Sequence, residues 1–511
     1  MELIIGLCLL APLLFLYTPL RRFIGLNASE LPLPPGPTLL SGPFPEKDIA
    51  KTFQKWNKKY GPIVSAKIGA QQFIILGSRR AAQDLLERRA SIYSSRPASK
   101  FLDKYLHKGL ASAFMPYGAQ WRLHRRLGSS LLSERASTAY RQLQDFESKR
   151  LLHEFLSTND FSEAFLSYTS DIMFTLVYGK GRGKDDSDHK MLYQINEMAT
   201  FVLQKASFGT ILLDLFPMLD WLPHCFLTWR KKAEELHYKT KEVYTECGNI
   251  ALGGDCWNWS HEVSQRSEAK ELPWEDVCYA LGELYVAGIH TTKMVLEILI
   301  MVCVLHKEVK QKAQAELDSV VGEDRLPSPD DLEKLPYIRA IVSELLRWRP
   351  ISPIGVPHAV IQDDEYMGYR IPAGATVVAN QFGMNMDEAT FDNPAAFNPD
   401  RYLNNPDLPV SAFGFGRRIC PGHRLARGSL LIVTSRLLWA YDITSAQGDA
   451  DLGDEYSPSS VKAVTSRLSR KSGRSLTKTK SESWKGSETV FDAWKTIYIW
   501  KNNIGSSECL S

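Results

Sequence analysis

Phe413-Gly414-Phe415-Gly416-Arg417-Arg418-Ile419-Cys420-Pro421-Gly422 reads F-G-x-G-x-R-x-C-x-G. It places one thiol among three glycines and a proline, just ahead of a helical run from Leu425 to Leu438. Glycines permit tight turns and a close backbone approach to a bulky group. The reactive form of cysteine is the thiolate, which cationic neighbours and a helix N-terminus both favour. Arg417, Arg418 and the following helix are expected to supply those influences. The plainer reading is a buried structural cysteine in a turn. Six matched positions, and partners elsewhere in the chain, weigh against it.

This loop resembles the haem-binding loop of cytochrome P-450 monooxygenases, fungal microsomal type, and the resemblance runs from about Pro34 to about Tyr441. It implies that Cys420 is the axial iron ligand of a haem b. It also implies that Phe413 and Gly414 shape the loop under the cofactor, and that Arg418 pairs with a propionate. A thiolate ligand pushes electron density onto haem iron and favours O–O cleavage.

Three further signals stand in the family's order. Trp121 and Arg125 are four residues apart on one helix face, and the resemblance makes them propionate partners, with His358 another. Ala287-Gly288-Ile289-His290-Thr291-Thr292 lies inside a long helix expected from Trp274 to His306. A mid-helix glycine is unfavourable without a packing reason, and close approach of a flat cofactor is the reason expected here. The segment resembles the oxygen-activation motif A-G-x-D/E-T-T, so Ala287 and Gly288 are implied to border the cofactor. Thr291, Thr292 and His290 are implied to handle protons, with His290 standing where the family carries an acid. Finally Glu344 and Arg347 share a helix face, and Arg401 lies in Phe397-Asn398-Pro399-Asp400-Arg401-Tyr402. In the family such residues form a buried structural triad.

The chain has 511 residues, 44% of them hydrophobic and 23% charged, with a net charge of +3. That balance gives no mandate for nucleic acid, and none is expected as a partner. The eight cysteines show no C-x-x-C pair, which argues against a disulfide framework or zinc ribbon. Reduced thiols fit a cytosol-facing domain.

Leu3 to Leu20 is apolar apart from Tyr17 and Thr18, and Arg21 and Arg22 follow. Residues 1–22 are therefore expected to be a single-pass membrane anchor with the bulk of the chain cytoplasmic, at the endoplasmic reticulum by the resemblance. Residues 23–40 read as a Pro-rich linker and 41–445 as the haem-thiolate catalytic domain, mainly α with small β-sheets. Residues 446–511 read as a divergent, disordered tail.

Within the domain, Tyr60 to Gly77 reads as a hairpin broken at Gly69, Ala81 to Arg89 as a helix, and the stretch to about Pro116 as a loop. Ile211 to Pro223 reads either as a loop at the pocket mouth or as an ordinary helix corner. Residues from Gly248 to Ser267 show little periodicity. Arg122, Arg126, Arg424 and Arg427 read either as a docking face or as solvated arginines.

The function implied is a haem-dependent monooxygenase of secondary metabolism. It would insert one oxygen atom from dioxygen into a lipophilic small molecule, with electrons from an NADPH-cytochrome P-450 reductase. The alternatives are a haem-thiolate isomerase or peroxygenase, and a non-catalytic haem-binding or defective chain.

Overall fold

The computed structural model describes residues 31–37, 48–69, 71–179, 220, 228–445 and 466–470. The anchor of residues 1–22, most of Ile211 to Pro223 and most of the tail lie outside them.

The molecule is mainly helical. Six helices frame the site: α1 (Ala119–Leu131), α2 (Phe161–Tyr178), α3 (Thr228–Gly253), α4 (Trp274–Leu305), α5 (Pro336–Trp348) and α6 (His423–Ala440). At 1.5 Å per residue, the 32 residues of α4 make a rod of about 48 Å. Pro273 stands at its N-cap, and Glu275 and Asp276 in its first turn oppose the positive end of the helix dipole. This is the one described helix long and apolar enough to cross a membrane, and most of its apolar window is buried inside the protein. It is the core helix.

Neighbouring helices reach α4 because small residues let them in. A Cβ on Gly282 would lie 2.3 Å from the Tyr244 ring of α3, and one on Gly288 would lie 2.5 Å from Met173 Sδ of α2. The packing reason for Gly288 is therefore a helix–helix contact and not the cofactor approach expected from the motif. The Tyr285 ring stands 6.0 Å from Phe174 and 5.9 Å from Tyr178, completing the apolar contact with α2.

The sheets are small, as expected. Strands β1 (Ile63–Ile68) and β2 (Gln71–Leu76) form the hairpin, and Gly69 turns it with φ of 57°. Strand β3 is His358–Ala359, and β4 (Asp364–Tyr366) pairs with β5 (Tyr369–Ile371). Strand β6 (Thr376–Ala379) pairs in parallel with β2 and antiparallel with β3, giving the order β1-β2-β6-β3.

Three segments depart from the expectations. Lys100–Leu106, inside the expected loop, is a wide helical turn in which the His107 amide donates to the carbonyl of Leu102, five residues back. Within the aperiodic stretch, Trp259–Ser264 is helical because Asn258 caps it, accepting from the His261 amide at 2.8 Å. Trp259 is fully buried there and donates to the Tyr140 hydroxyl at 2.9 Å. In the tail, Ser466–Arg470 forms β8, paired antiparallel with β7 (Tyr441–Ser445). At least this piece of the tail is ordered by pairing.

Below the helices, Glu344 and Arg347 of α5 are completely buried. Arg347 donates to both carboxylate oxygens of Glu344 at 2.7 Å, and Arg401 Nε adds a third bond at 3.1 Å. The remaining guanidinium N–H groups donate to the carbonyls of Asn385, Asp392, Pro394 and Ala396, among others. The Asn398 amide also donates to Glu344. The trio thus clamps the irregular 385–401 segment to α5. Removing one member strands a buried charge, which typically costs about 3–5 kcal/mol. Glu344→Ala is expected to lower the denaturant midpoint by that amount or to prevent accumulation of folded protein. Wild-type stability in an unfolding titration would contradict the clamp.

Candidate functional site

The cysteine loop holds its shape through backbone geometry. Gly414 and Gly416 have φ of 76° and 56°, the left-handed region that suits glycine. A Cβ on Gly416 would lie 2.0 Å from the Leu86 carbonyl oxygen, so that position admits nothing larger. The Cys420 amide donates to the Phe413 carbonyl at 2.8 Å, closing the loop around the sulfur, and α6 starts three residues later.

Burial pushes the Cys420 thiol up, while the Gly422 amide and then Arg125 pull it down. The cation acting on the sulfur is thus Arg125, reaching from α1. Arg417 and Arg418 turn elsewhere, contrary to the expectation. Arg417 donates to the Tyr117 hydroxyl at 2.5 Å. Arg418 donates to the carbonyls of Ser94 (2.7 Å), Ser112 (3.2 Å) and Met115 (2.7 Å). Its guanidinium also stacks on the Trp121 ring with the centroid 4.1 Å away.

Arg418 is one of a group of cations. Burial, then Arg96 and Arg125, lower its pKa to about 9, and burial alone brings Arg96 to about 10. Arg96 donates to the carbonyls of Ala113, Val356 and Pro357, each at 2.8 Å. His358 is buried beside them, and its Nδ1–H donates to the Tyr93 carbonyl at 2.8 Å. Burial, then Arg96, lower its pKa to about 3, so it is neutral.

Among the described residues no carboxylate pairs with Arg96, Arg125 or Arg418. Buried charges are ordinarily paired, so this wall fits a ligand that brings its own anionic groups. The two propionates of a haem are such groups. Trp121 is buried in the same wall, under the Arg418 guanidinium. Arg96 escaped the sequence reading. Its signal was a lone charge in the uncharged run from Ala90 to Ser99.

The other wall is α4, and α1 links the two. Its Arg125 acts on Cys420, and its Gly128 faces the Leu284 side chain of α4. At about 100° per residue, Glu283, Ala287, His290, Thr291 and Met294 share one arc of α4. Ala287 and Thr291 are exposed on it, in the middle of the longest helix. The Thr291 hydroxyl donates to the Ala287 carbonyl at 2.7 Å. Thr292 is buried and lies about 100° round the helix, which separates it from Thr291 and from the catalytic role expected of it. His290 is half-buried, and its Nε2 has no partner among the described residues. Burial, then the nearby Lys293, hold its pKa below the usual histidine value. Lys293 itself pairs with Glu297 at 2.5 Å and donates to Ser162 at 2.8 Å.

Among the described residues there is no group of three or more His, Cys, Asp or Glu suited to a metal ion, and the five described cysteines are free. A prosthetic group held through Cys420 alone is compatible with both facts. Of the four arginines expected to form a docking face, Arg122, Arg126 and Arg424 are exposed. Arg427 turns inward over the Phe413 ring, 5.2 Å from its centroid. Glu344, Arg347 and Arg401 belong to the clamp under α5.

Several histidines here are buried and neutral. For His107, burial, then His237, bring the pKa to about 4, against about 6.5 in an unfolded chain. Between those values the unfolded chain binds a proton that the folded one does not, so stability falls as pH drops through that window. The slope is up to about 1.4 kcal/mol per pH unit for one histidine. His107→Gln is expected to flatten the loss of stability between pH 6.5 and 5, measured by denaturant titration. An unchanged slope would show that His107 titrates normally.

A family model described as Cytochrome P450 matches residues 31–465. The cytochrome P450 monooxygenase drtD of Aspergillus calidoustus is 40% identical over 416 residues, covering 80% of this chain and 79% of its own. The cytochrome P450 monooxygenase aneD of Aspergillus aculeatus is 40% identical over 430 residues, with coverage of 82% and 83%. FrzL of Cladobotryum, also named a cytochrome P450 monooxygenase, is 41% identical over 426 residues, with 82% of each chain covered. Among solved structures, a zebra fish cytochrome P450 with abiraterone superposes with a TM-score of 0.64 at 23% identity. It covers 78% of this chain and 92% of that one, a likeness of fold.

Proposed function

The chain belongs to the cytochrome P450 family and is a haem-dependent monooxygenase, and from that premise we propose that Cys420 is the axial thiolate of a haem b. The observation that supports this assignment is the wall of Arg96, Arg125 and Arg418, the first buried and the others half-buried beside the Cys420 loop, with no carboxylate pairing them among the described residues. Trp121 and His358 complete the set that would hold the propionates. When bound, the haem supplies insertion of one oxygen atom of dioxygen into a substrate C–H bond.

The protein's own contributions follow from its geometry. The Gly422 amide and Arg125 stabilise negative charge on the Cys420 sulfur, and iron coordination would draw the thiolate form further. Phe413 shields the loop, its carbonyl holding the Cys420 amide. The Thr291 hydroxyl, on the open arc of α4, is the group that holds a proton at the oxygen site, and to do so it releases its bond to Ala287. His290, one residue before it, has an Nε2 without a partner among the described residues, and burial favours its neutral imidazole. Such a ring can both accept and donate a proton.

The substrate is a lipophilic small molecule. Electrons come from an NADPH-cytochrome P-450 reductase that docks on a basic face including Arg122, Arg126 and Arg424. Residues 1–22 hold the domain at the cytoplasmic side of the endoplasmic reticulum membrane.

The reduced, CO-bound protein is expected to show the strongly red-shifted Soret band of a thiolate ligand, and Cys420→Ser to lose it. A serine variant that keeps the band would refute the assignment. A neutral imidazole relays protons less securely than a carboxylate, so some NADPH is expected to end as peroxide. Thr291→Ala should raise peroxide released per NADPH in a reconstituted system, and His290→Asp should lower it or leave it unchanged. Coupling untouched by Thr291→Ala, together with turnover abolished by His290→Asp, would favour the isomerase or peroxygenase reading.

A further inference from the structure

Glu283 is the acid on the open arc of α4. It lies one turn before Ala287 and two before Thr291, and it is half-buried. No described residue gives it a hydrogen bond or an ion pair, and its neighbours in charge are the Tyr244 and Tyr279 hydroxyls. Elsewhere in the core the acids are satisfied: Glu344 by two arginines, Glu297 by Lys293 and Ser162, and Asp145 by Arg436 and Lys149. Burial alone pushes the Glu283 carboxyl up to about 7. An unpaired carboxylate in such surroundings is costly, and a cation beside it restores ionisation.

Two other roles fit poorly. As a proton donor at Thr291, Glu283 is eight residues away, about 12 Å along the axis, and helical side chains lean toward the N-terminus, away from Thr291. As a structural clamp it has nothing to hold among the described residues.

We propose that Glu283 is a specificity-determining residue that receives a positively charged nitrogen of the lipophilic substrate. This rests on the haem-thiolate reading above, because Thr291 marks the oxidised end. The rise between Glu283 and Thr291 then sets the distance from the substrate's nitrogen to the carbon oxidised at about 12 Å.

The test uses the haem-loaded full-length protein and two probes of one shape, a 4-phenylbutyl trimethylammonium ion and its neutral tert-butyl isostere. The quaternary nitrogen cannot ligate iron. Binding is read by calorimetric titration, independently of turnover. At pH 8 the cation is expected to bind about tenfold more tightly than the isostere, equivalent to about 1.4 kcal/mol. Glu283→Gln should abolish that preference and leave the isostere's affinity unchanged.

In the wild type the preference should also shrink from pH 8 to pH 6, as the carboxyl takes up its proton while the probe's charge stays fixed. The groups around it hold their charge in that range. Tyr244 of α3 and Tyr279 are held well above their usual value and His107 is brought to about 4, while burial also shifts His237 and His290 toward the neutral form. A preference that survives Glu283→Gln, or a wild type with none, would overturn the proposal. The CO-bound Soret band of the same two proteins reports separately on the haem-thiolate reading.

Discussion

Three guanidinium groups with which no carboxylate among the described residues pairs are the constraint on which this architecture turns. Arg96, Arg125 and Arg418 come from a loop, a helix and the cysteine loop, and each is taken partly or wholly out of water. Arg96 bonds the carbonyls just before β3, and Arg418 bonds those of Ser94, Ser112 and Met115. Their side chains therefore fasten four separate pieces of chain around the place where the proposed propionates would sit. A cofactor that neutralises them contributes to folding as well as to chemistry, since whatever binds only the native state stabilises it.

The long helix answers a different demand. It must lie close to α2 and α3 and still leave one arc open. Gly282 and Gly288 meet the first requirement by giving up their side chains to Tyr244 and Met173. Ala287 and Thr291, small and turned the other way, meet the second. The ten residues from Gly282 to Thr291 thus serve two surfaces, which is why the motif alone points a mid-helix glycine at the cofactor when it faces a neighbouring helix.

What could be read in the sequence was what local spacing encodes. The cysteine loop, the Glu344–Arg347 pair with Arg401, the hairpin turning at Gly69 and the span of α4 all depend on residues near one another in the chain or on a compact motif. What escaped depends on tertiary context. Arg96 matters because no carboxylate among the described residues pairs with it, which no spacing reveals. Arg125 of α1, and not Arg417 or Arg418 beside Cys420 in the sequence, is the cation that acts on its sulfur. Lys100–Leu106 coils with a five-residue hydrogen-bond period outside the usual 3.6-residue pattern. Trp259 orders an aperiodic stretch through burial against Tyr140. The difference between Thr291 and Thr292, by contrast, was accessible from helix periodicity alone.

The pairing of β2 with β6 has a consequence for the order of events during synthesis. Phe73 lies opposite Thr376 in that ladder, some three hundred residues downstream. At about 5–20 residues per second, roughly 15–60 s separate the emergence of the two strands from the ribosome. Throughout that interval the apolar run Phe73–Leu76 has the hairpin partner β1 on one side and an unpaired edge on the other. Such an edge is a template for another chain. The amino-terminal hairpin is therefore where chaperone cover during translation would matter most, and slowing synthesis between residues 77 and 376 would lengthen the exposure.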